Sequence, residues 1–390
     1  MKFDTSKILP YAIAPEPPEF PAVMTGKTAQ PTPLEVLLLQ AGLWGPKRAK
    51  TAWEEFCGKI DDIEVLDVGL YGLFPILAAN LEEFGSTLPH ADYYQSSLRH
   101  SWAKSHRFLS LILPVLRGLK EGDVDYLLLR GVALSYVYYG HGGARPNIDL
   151  GLLLRPAQVA KAFQLLLRLG CSPKVPIRPE DEAGLIRYGF ESVWLLPNKM
   201  EFRVRWHLVQ GCLYEEDGAR VWEQAQDCPL PGLPARTPGT TDQFVEICLA
   251  DYHGAYLLRL ADAAMVLREG KTDWAALETR ARSLQRLEPV REMILELARY
   301  DLGVSAEMAA HWRGLQIGEL ELMEKEAVAP APRWRIKAAA LTYLRLNLGG
   351  DSRTLWQNLA HYAKHRHDLQ GVSRRVALIP YILRWRNLFT

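Results

Sequence analysis

Arg203 and Arg205 stand on one face of a strand, because Met200, Phe202, Val204, Trp206 and Leu208 alternate strictly with Glu201, Arg203, Arg205 and His207. Guanidinium groups hold phosphate oxygens bidentately, which suits a polyphosphate ligand, although a solvated strand face would look the same in sequence. A second polar set lies upstream, where Asn147 and Asp149 alternate with Ile148 and Leu150 after Pro146. Strand side chains point alternately to the two faces, so Asn147, Asp149 and Gly151 share one face of an otherwise apolar element. A strand-end aspartate of this kind either serves a site or accepts backbone N–H bonds. Gly131, which follows Arg130 at the end of another strand, would let backbone come close to a phosphate chain, or would simply turn the chain.

These residues must be positioned by the stretch Asp125 to Leu154, DYLLLRGVALSYVYYGHGGARPNIDLGLLL. Tyr126 to Leu129 is an apolar run of strand length, Val132 to Tyr139 fits a short helix ended by Gly140, Gly142 and Gly143, and a strand starts after Pro146. Pro156 to Leu169 is an amphipathic helix that ends at Gly170, and a charged loop follows (Arg178, Glu180, Asp181, Glu182). Arg187 to Leu196 and Met200 to Leu208 then form a hairpin around Pro197, Asn198 and Lys199.

The flanks are helical. Seven prolines in residues 1–33 predict an extended arm, and helical spacing then runs through 34–43, 49–60, 73–81 and 91–120, with Trp102, Phe108, Leu111 and Val115 on the apolar stripe. Residues 228–239, CPLPGLPARTPG, hold four prolines and two glycines and predict a linker. Thr240 and Gln243 predict a capping-box start for the helices that follow to about residue 320. The expected divisions are an arm (1–33), an N-terminal helical region (34–120), an α/β core (121–227), the linker (228–239) and a C-terminal helical domain (240–390).

A chain of 390 residues, 48% hydrophobic and 23% charged, is that of an ordinary globular protein of two or three domains. Its five cysteines (Cys57, Cys171, Cys212, Cys228, Cys248) are scattered and contain no Cys-x-x-Cys pair, which argues against a disulfide framework or zinc site and for the cytoplasm. Neither a signal-peptide core nor an apolar run of membrane-spanning length is present. The net charge of +1 is uneven: residues 333–390 hold 11 Lys or Arg against 2 acids, a balance of +9, and the first 332 hold 35 against 43, or −8. The basic end, with Trp334, Arg335, Trp385 and Arg386, reads as a helical cap on the acidic remainder, with nucleic-acid binding as the alternative. No Gly-x-x-x-x-Gly-Lys-Ser/Thr loop, nucleophile elbow or His-Glu-x-x-His is present.

Arg130-Gly131, Arg145 and Asn147-Ile148-Asp149 together resemble the motif of the uncharacterised bacterial nucleotidyltransferases in the polymerase-beta-like superfamily. In that family a strand ends in Lys-Gly, and a short helix and an Arg lead to Asp-x-Asp on the next strand. Leu169-Gly170-Cys171, His253, Asp262 and Asp273-Trp274 extend the resemblance over roughly residues 35–320. It implies an α+β fold, a small mixed sheet of the nucleotidyltransferase type flanked by N- and C-terminal helical regions. It also implies a nucleoside triphosphate ligand, magnesium as cofactor, and nucleotidyl transfer to a hydroxyl-bearing acceptor, whether small molecule, peptide or protein. On that pattern Asp149 is the metal ligand and Asn147 a neutral one. Asp149, Asn147 and Glu201 form the catalytic set, and Arg130, Gly131, Arg145, Arg203 and Arg205 lie on the nucleotide side.

Two departures matter. Asn147 replaces one carboxylate, and anchoring on Trp206 puts Arg203 where the family has its third. Asp149 and Glu201 give −2 and Arg203 and Arg205 give +2, so the expected site charge is near zero and two guanidiniums would repel a divalent cation. The alternative reading is therefore a catalytically inactive descendant that binds a nucleotide, peptide or partner protein.

Overall fold

The computed structural model describes residues 30–60, 63, 68–140, 142–146, 149–209, 218–250, 255–269, 272–318 and 321–322. The proline-rich arm up to residue 29 and the basic segment 333–390 lie outside the described residues, as do Asn147, Cys212 and His253.

Helices form where caps and apolar spacing agree. Thr32 opens α1 (Pro33–Leu43) with a capping box, its hydroxyl accepting the Glu35 N–H while the Glu35 carboxylate accepts the Thr32 N–H, and Pro33 takes a position that needs no donor. α2 (Pro46–Cys57) buries Ala49, Ala52, Trp53 and Phe56 at helical spacing. After α3 (Val68–Tyr71) and α4 (Phe74–Asn80), α5 (Ala91–Glu121) runs unbroken for 31 residues. Trp53 stacks on Phe56 and meets Phe74 and Tyr94 edge-on, which fixes this corner of the core. Trp102, expected on the apolar stripe of α5, is half exposed instead and lies on His106, because Ser101 and Ser105 take the buried positions of that turn.

The middle of the chain builds the sheet. In order come β1 (Tyr126–Leu129), α6 (Arg130–Val137), β2 (Gly151–Leu154), α7 (Val159–Arg168), β3 (Ser172–Pro173), α8 (Pro179–Tyr188), β4 (Glu191–Leu195) and β5 (Glu201–Arg205). The strand order is β1-β2-β5-β4-β3, with β2 and β5 parallel and the other neighbours antiparallel. This is the α+β mixed sheet that the sequence predicts. Residues 179–188 are helical, with Pro179 at the first turn, where a charged loop at Arg178 to Glu182 and a strand from Arg187 were expected; the strand starts at Glu191 instead. The hairpin has the expected centre, pairing Leu195 with Glu201 and Glu191 with Arg205.

The sheet divides two layers of core. Leu128, Leu152, Leu154, Phe202 and Val204 pack with Phe108 and Ile112 of α5 and Phe163 and Leu166 of α7. On the other face Leu127, Leu129 and Leu153 join one cluster that contains residues of α1, α2 and α4 and of the C-terminal helices. Those helices are α10 (Thr240–Leu249), α11 (Tyr256–Glu269), α12 (Trp274–Ser283), α13 (Leu287–Arg299) and α14 (Ala306–Gly314), preceded by the short α9 (Gly218–Glu223). Direct bonds join the two helical ends of the chain, with Gln40 Nε2 donating to Tyr300 O at 3.0 Å and Arg268 donating to Leu43 O at 2.7 Å. The flanking regions thus share a core. Among the described residues no helix is long and apolar enough to cross a membrane.

Residues 228–239 differ from the expected linker. β6 (Gln226–Cys228) and β7 (Ala235–Thr237) pair as a hairpin. Cys228, Leu230 and Leu233 are buried in the α5 side of the core, and Thr237 Oγ1 donates to Leu128 O at 2.8 Å. The prolines sit in and beside the turn, where no ladder N–H is required, so they shape a packed hairpin. Limited proteolysis is expected to spare this segment, and early cleavage inside 228–239 would contradict the packing. The predicted capping box at Thr240 is also absent. Gly239 is the N-cap, and Gln243 Nε2 donates to Pro238 O at 2.7 Å and Thr237 Oγ1 at 3.1 Å.

Candidate functional site

The site forms where β1 ends and β2 begins, on the sheet face toward α10 and α11. Arg130 adopts a positive φ of 64° as the chain turns directly from β1 into α6. The turn is tied to the next strand by two bonds: Gly131 N–H donates to Asp149 Oδ1 at 3.0 Å, and Val132 N–H to Asp149 O at 3.0 Å. Asp149 therefore accepts a backbone amide, one of the two roles open to it in the sequence, while its side chain remains 46% exposed. Gly131 is required by space. A Cβ there would stand 2.4 Å from Asp149 Oδ1, 2.5 Å from an Arg145 nitrogen and 2.7 Å from Asp149 N.

Two chains of charge meet at Asp149. Arg145 has a nitrogen 3.8 Å from Asp149 Oδ1, and it is clamped bidentately by the fully buried Asp262 of α11 at 2.8 Å on both bonds. Tyr139 O–H donates to the same Asp262 at 2.7 Å. On the other side Arg130 lies 3.6 Å from Asp149 Oδ2 and 3.6 Å from Glu246 Oε1 of α10. Glu246 Oε1 accepts from Arg205 at 2.8 Å, Arg205 donates to Glu191 at 2.9 Å, and Glu191 accepts from Arg203 at 2.8 Å. Exposure is low in the middle of this ladder, 8% at Arg205 and 6% at Glu246, and rises to 27% at Arg203.

The expected site residues are brought together unevenly. Arg130, Gly131, Arg145 and Asp149 converge within one shell. Arg203 and Arg205 share the face, since Arg203 pairs with Gly151 across parallel strands, and are linked to Asp149 through Glu246 and Arg130. Glu201 lies on that face too and is paired with Lys174. Glu191, Glu246 and Tyr139 were missed by sequence reasoning. Glu191 had a signal, because the hairpin centred on Asn198 sets it opposite Arg205. Glu246 had none, since only tertiary packing lays α10 beside the sheet.

A family of uncharacterised nucleotidyltransferases matches residues 71–300, more than half of the chain. The chain belongs to that family. No curated protein matches it. The matched span runs from α3 to the end of α13 and so includes every residue of the ladder.

For a nucleotidyltransferase the donor set is unusual. Among the described residues no group of three or more His, Cys, Asp or Glu could hold a metal ion. Asp149 is one carboxylate facing two guanidiniums and an amide, which does not fit a protein-held pair of divalent ions. Arg130, Arg145, Arg203 and Arg205 supply +4 and Asp149, Glu191, Glu246 and Asp262 supply −4, so the network is neutral. The expected sum set Asp149 and Glu201 against Arg203 and Arg205, whereas here Glu201 pairs with Lys174 and Glu191, Glu246 and Asp262 face the arginines. Burial pushes the His207 imidazole down to about 4, so it is uncharged at neutral pH. Burial also pushes the Cys171 thiol up to about 11 and those of Cys228 and Cys248 to about 12, which leaves no thiolate among them to act as nucleophile.

Proposed function

We propose that this nucleotidyltransferase-family protein binds a nucleoside triphosphate along the face between Asp149 and Arg203 and transfers its nucleotidyl group to a hydroxyl-bearing acceptor. The observation that carries the reading is the turn at Arg130-Gly131. It sets a solvent-reaching carboxylate beside two guanidiniums, with a glycine where any side chain would collide. In the reaction the acceptor oxygen bonds to the α-phosphorus, the bond from that phosphorus to the α–β bridging oxygen breaks, and pyrophosphate leaves. Asp149 is the carboxylate placed to take the acceptor's proton, and Arg203, at the open end of the ladder, faces the phosphates. Magnesium would arrive bound to the triphosphate, because the described donors offer it only Asp149.

A second reading, a nucleotide-binding protein without turnover, is favoured by one specific observation: the other carboxylates near Asp149 are engaged by cations, Glu201 by Lys174, Glu191 by Arg203 and Arg205, and Glu246 by Arg205. Calorimetry with each of the four common ribonucleoside triphosphates tests binding. A labelled-nucleotide transfer assay, with wild type and Asp149→Asn, tests turnover. Binding with turnover that falls at least a hundredfold in Asp149→Asn supports transfer. Binding without turnover supports the second reading, and no binding of any triphosphate sinks both.

A further inference from the structure

α5 carries a basic face on a body that is acidic, since residues 1–332 hold 35 Lys or Arg against 43 acids. Between Asp92 and Glu121 the helix has no acid and five cations, Arg99, Lys104, Arg107, Arg117 and Lys120, all exposed. At 3.6 residues per turn they fall on the side away from buried Phe108 and Ile112, with Lys104 and Lys120 at the two margins, in a stripe about 30 Å long. Arg117 and Lys120 donate to the carbonyls of Gly232 and Pro234, neutral groups that leave their charge uncompensated. Among the described residues Arg99, Lys104 and Arg107 meet no acid at all.

Trp102 lies in the same face and is 50% exposed. His106 stacks on it with ring centroids 3.8 Å apart, held there because His106 Nδ1 donates to Trp102 O at 2.9 Å. Aromatic rings set among unpaired cations suit unpaired nucleotides: bases stack on the rings while guanidinium and ammonium groups take the phosphates. A duplex hides its base faces, whereas RNA loops and ends present them. We infer that the exposed face of α5 binds single-stranded RNA, with a base on the Trp102–His106 pair and phosphates along Arg99, Lys104 and Arg107. The face adjoins the site at Asp149. Gly143, two residues before Arg145, packs so closely on α5 that a Cβ there would stand 2.7 Å from Trp102 Cβ and 3.0 Å from its Cα. RNA stacked on Trp102 thus lies against the loop that carries Arg145. The inference stands apart from the triphosphate reading.

Fluorescence anisotropy on the full chain measures binding of a short, labelled, unstructured RNA, of the same sequence as DNA, and of the RNA as a duplex. The single-stranded RNA is expected to bind most tightly. Trp102→Ala should weaken it roughly five- to a hundredfold, the range for loss of one stacked base, with the salt dependence unchanged, and Trp102→Phe should recover most of the loss. Arg99→Gln combined with Lys104→Gln and Arg107→Gln should lower affinity about tenfold or more at low salt and reduce the slope of log affinity against log salt by about 2, at roughly 0.7 per phosphate contact. All four side chains lie on the surface, so these variants should unfold thermally as wild type does. If neither variant changes binding, the RNA is held elsewhere, such as on the basic residues 333–390, and the inference fails. It also fails if wild type binds no RNA, or if duplex or DNA binds as tightly as the single-stranded RNA. Displacement of the RNA by polyglutamate at equal charge would make α5 a face for acidic polypeptides and would likewise overturn the assignment.

Discussion

Gly131→Ala is expected to abolish ligand binding and to lower stability by about 1–3 kcal/mol, the usual cost of forcing an extra carbon into a filled site. The new Cβ would meet Asp149 Oδ1 at 2.4 Å, Asp149 N at 2.7 Å and an Arg145 nitrogen at 2.5 Å. None of these yields easily. Asp149 N is backbone, and Arg145 is held on two bonds by Asp262. Asp149 must therefore move, and its bond from the Gly131 N–H is lost with it. Urea unfolding and triphosphate calorimetry on the variant check both parts. Wild-type affinity would show that the Asp149 geometry is immaterial to binding.

Asp262→Ala should produce the largest stability loss, about 3–5 kcal/mol, because it leaves the Arg145 guanidinium in the interior without its counter-charge and takes the acceptor from Tyr139 O–H. Replacing both partners is a different matter. Arg145→Met combined with Asp262→Leu removes the desolvated charges together and should recover much of the stability, as apolar replacement of buried pairs often does. It should not restore the site, since Arg145 also faces Asp149 at 3.8 Å. Chemical denaturation of the single and double variants, with calorimetry on the double, separates the two roles. A double variant with normal affinity would assign Arg145 to the fold alone.

The two motif residues Arg145 and Asp262 are 117 positions apart, and sequence reading placed them separately, one beside the nucleotide and one among the residues that extend the resemblance into the C-terminal helices. The structure joins them into one pair. Local features were readable because local physics sets them. Strict alternation fixed the buried face of β5, and Phe202, Val204 and Trp206 are buried. The Gly-Gly-rich stretch after α6, the hairpin centre at Asn198 and the Asp273 cap of α12 likewise depend on neighbours within a few residues.

Errors arose where packing overrode composition. Four prolines suggested an open connector at 228–239, yet Leu230 and Leu233 had an apolar surface to fill and closed a hairpin onto it. Trp102 fits an apolar stripe by spacing, but Ser101 and Ser105 take the buried positions of that turn of α5, and the indole stays half exposed.

By itself the sequence determined the alternating strand and the turn at Arg130-Gly131, because glycine placement and short-range spacing are written residue by residue, and through the resemblance of Arg130-Gly131, Arg145 and Asn147-Ile148-Asp149 to a family motif it implied the mixed α+β architecture and the family. Only the tertiary structure decided which acids neutralise the arginines. Glu246 and Asp262 reach the site from α10 and α11 across the shared core, and ion pairs between residues so distant in sequence follow from where the helices dock, which no local pattern encodes.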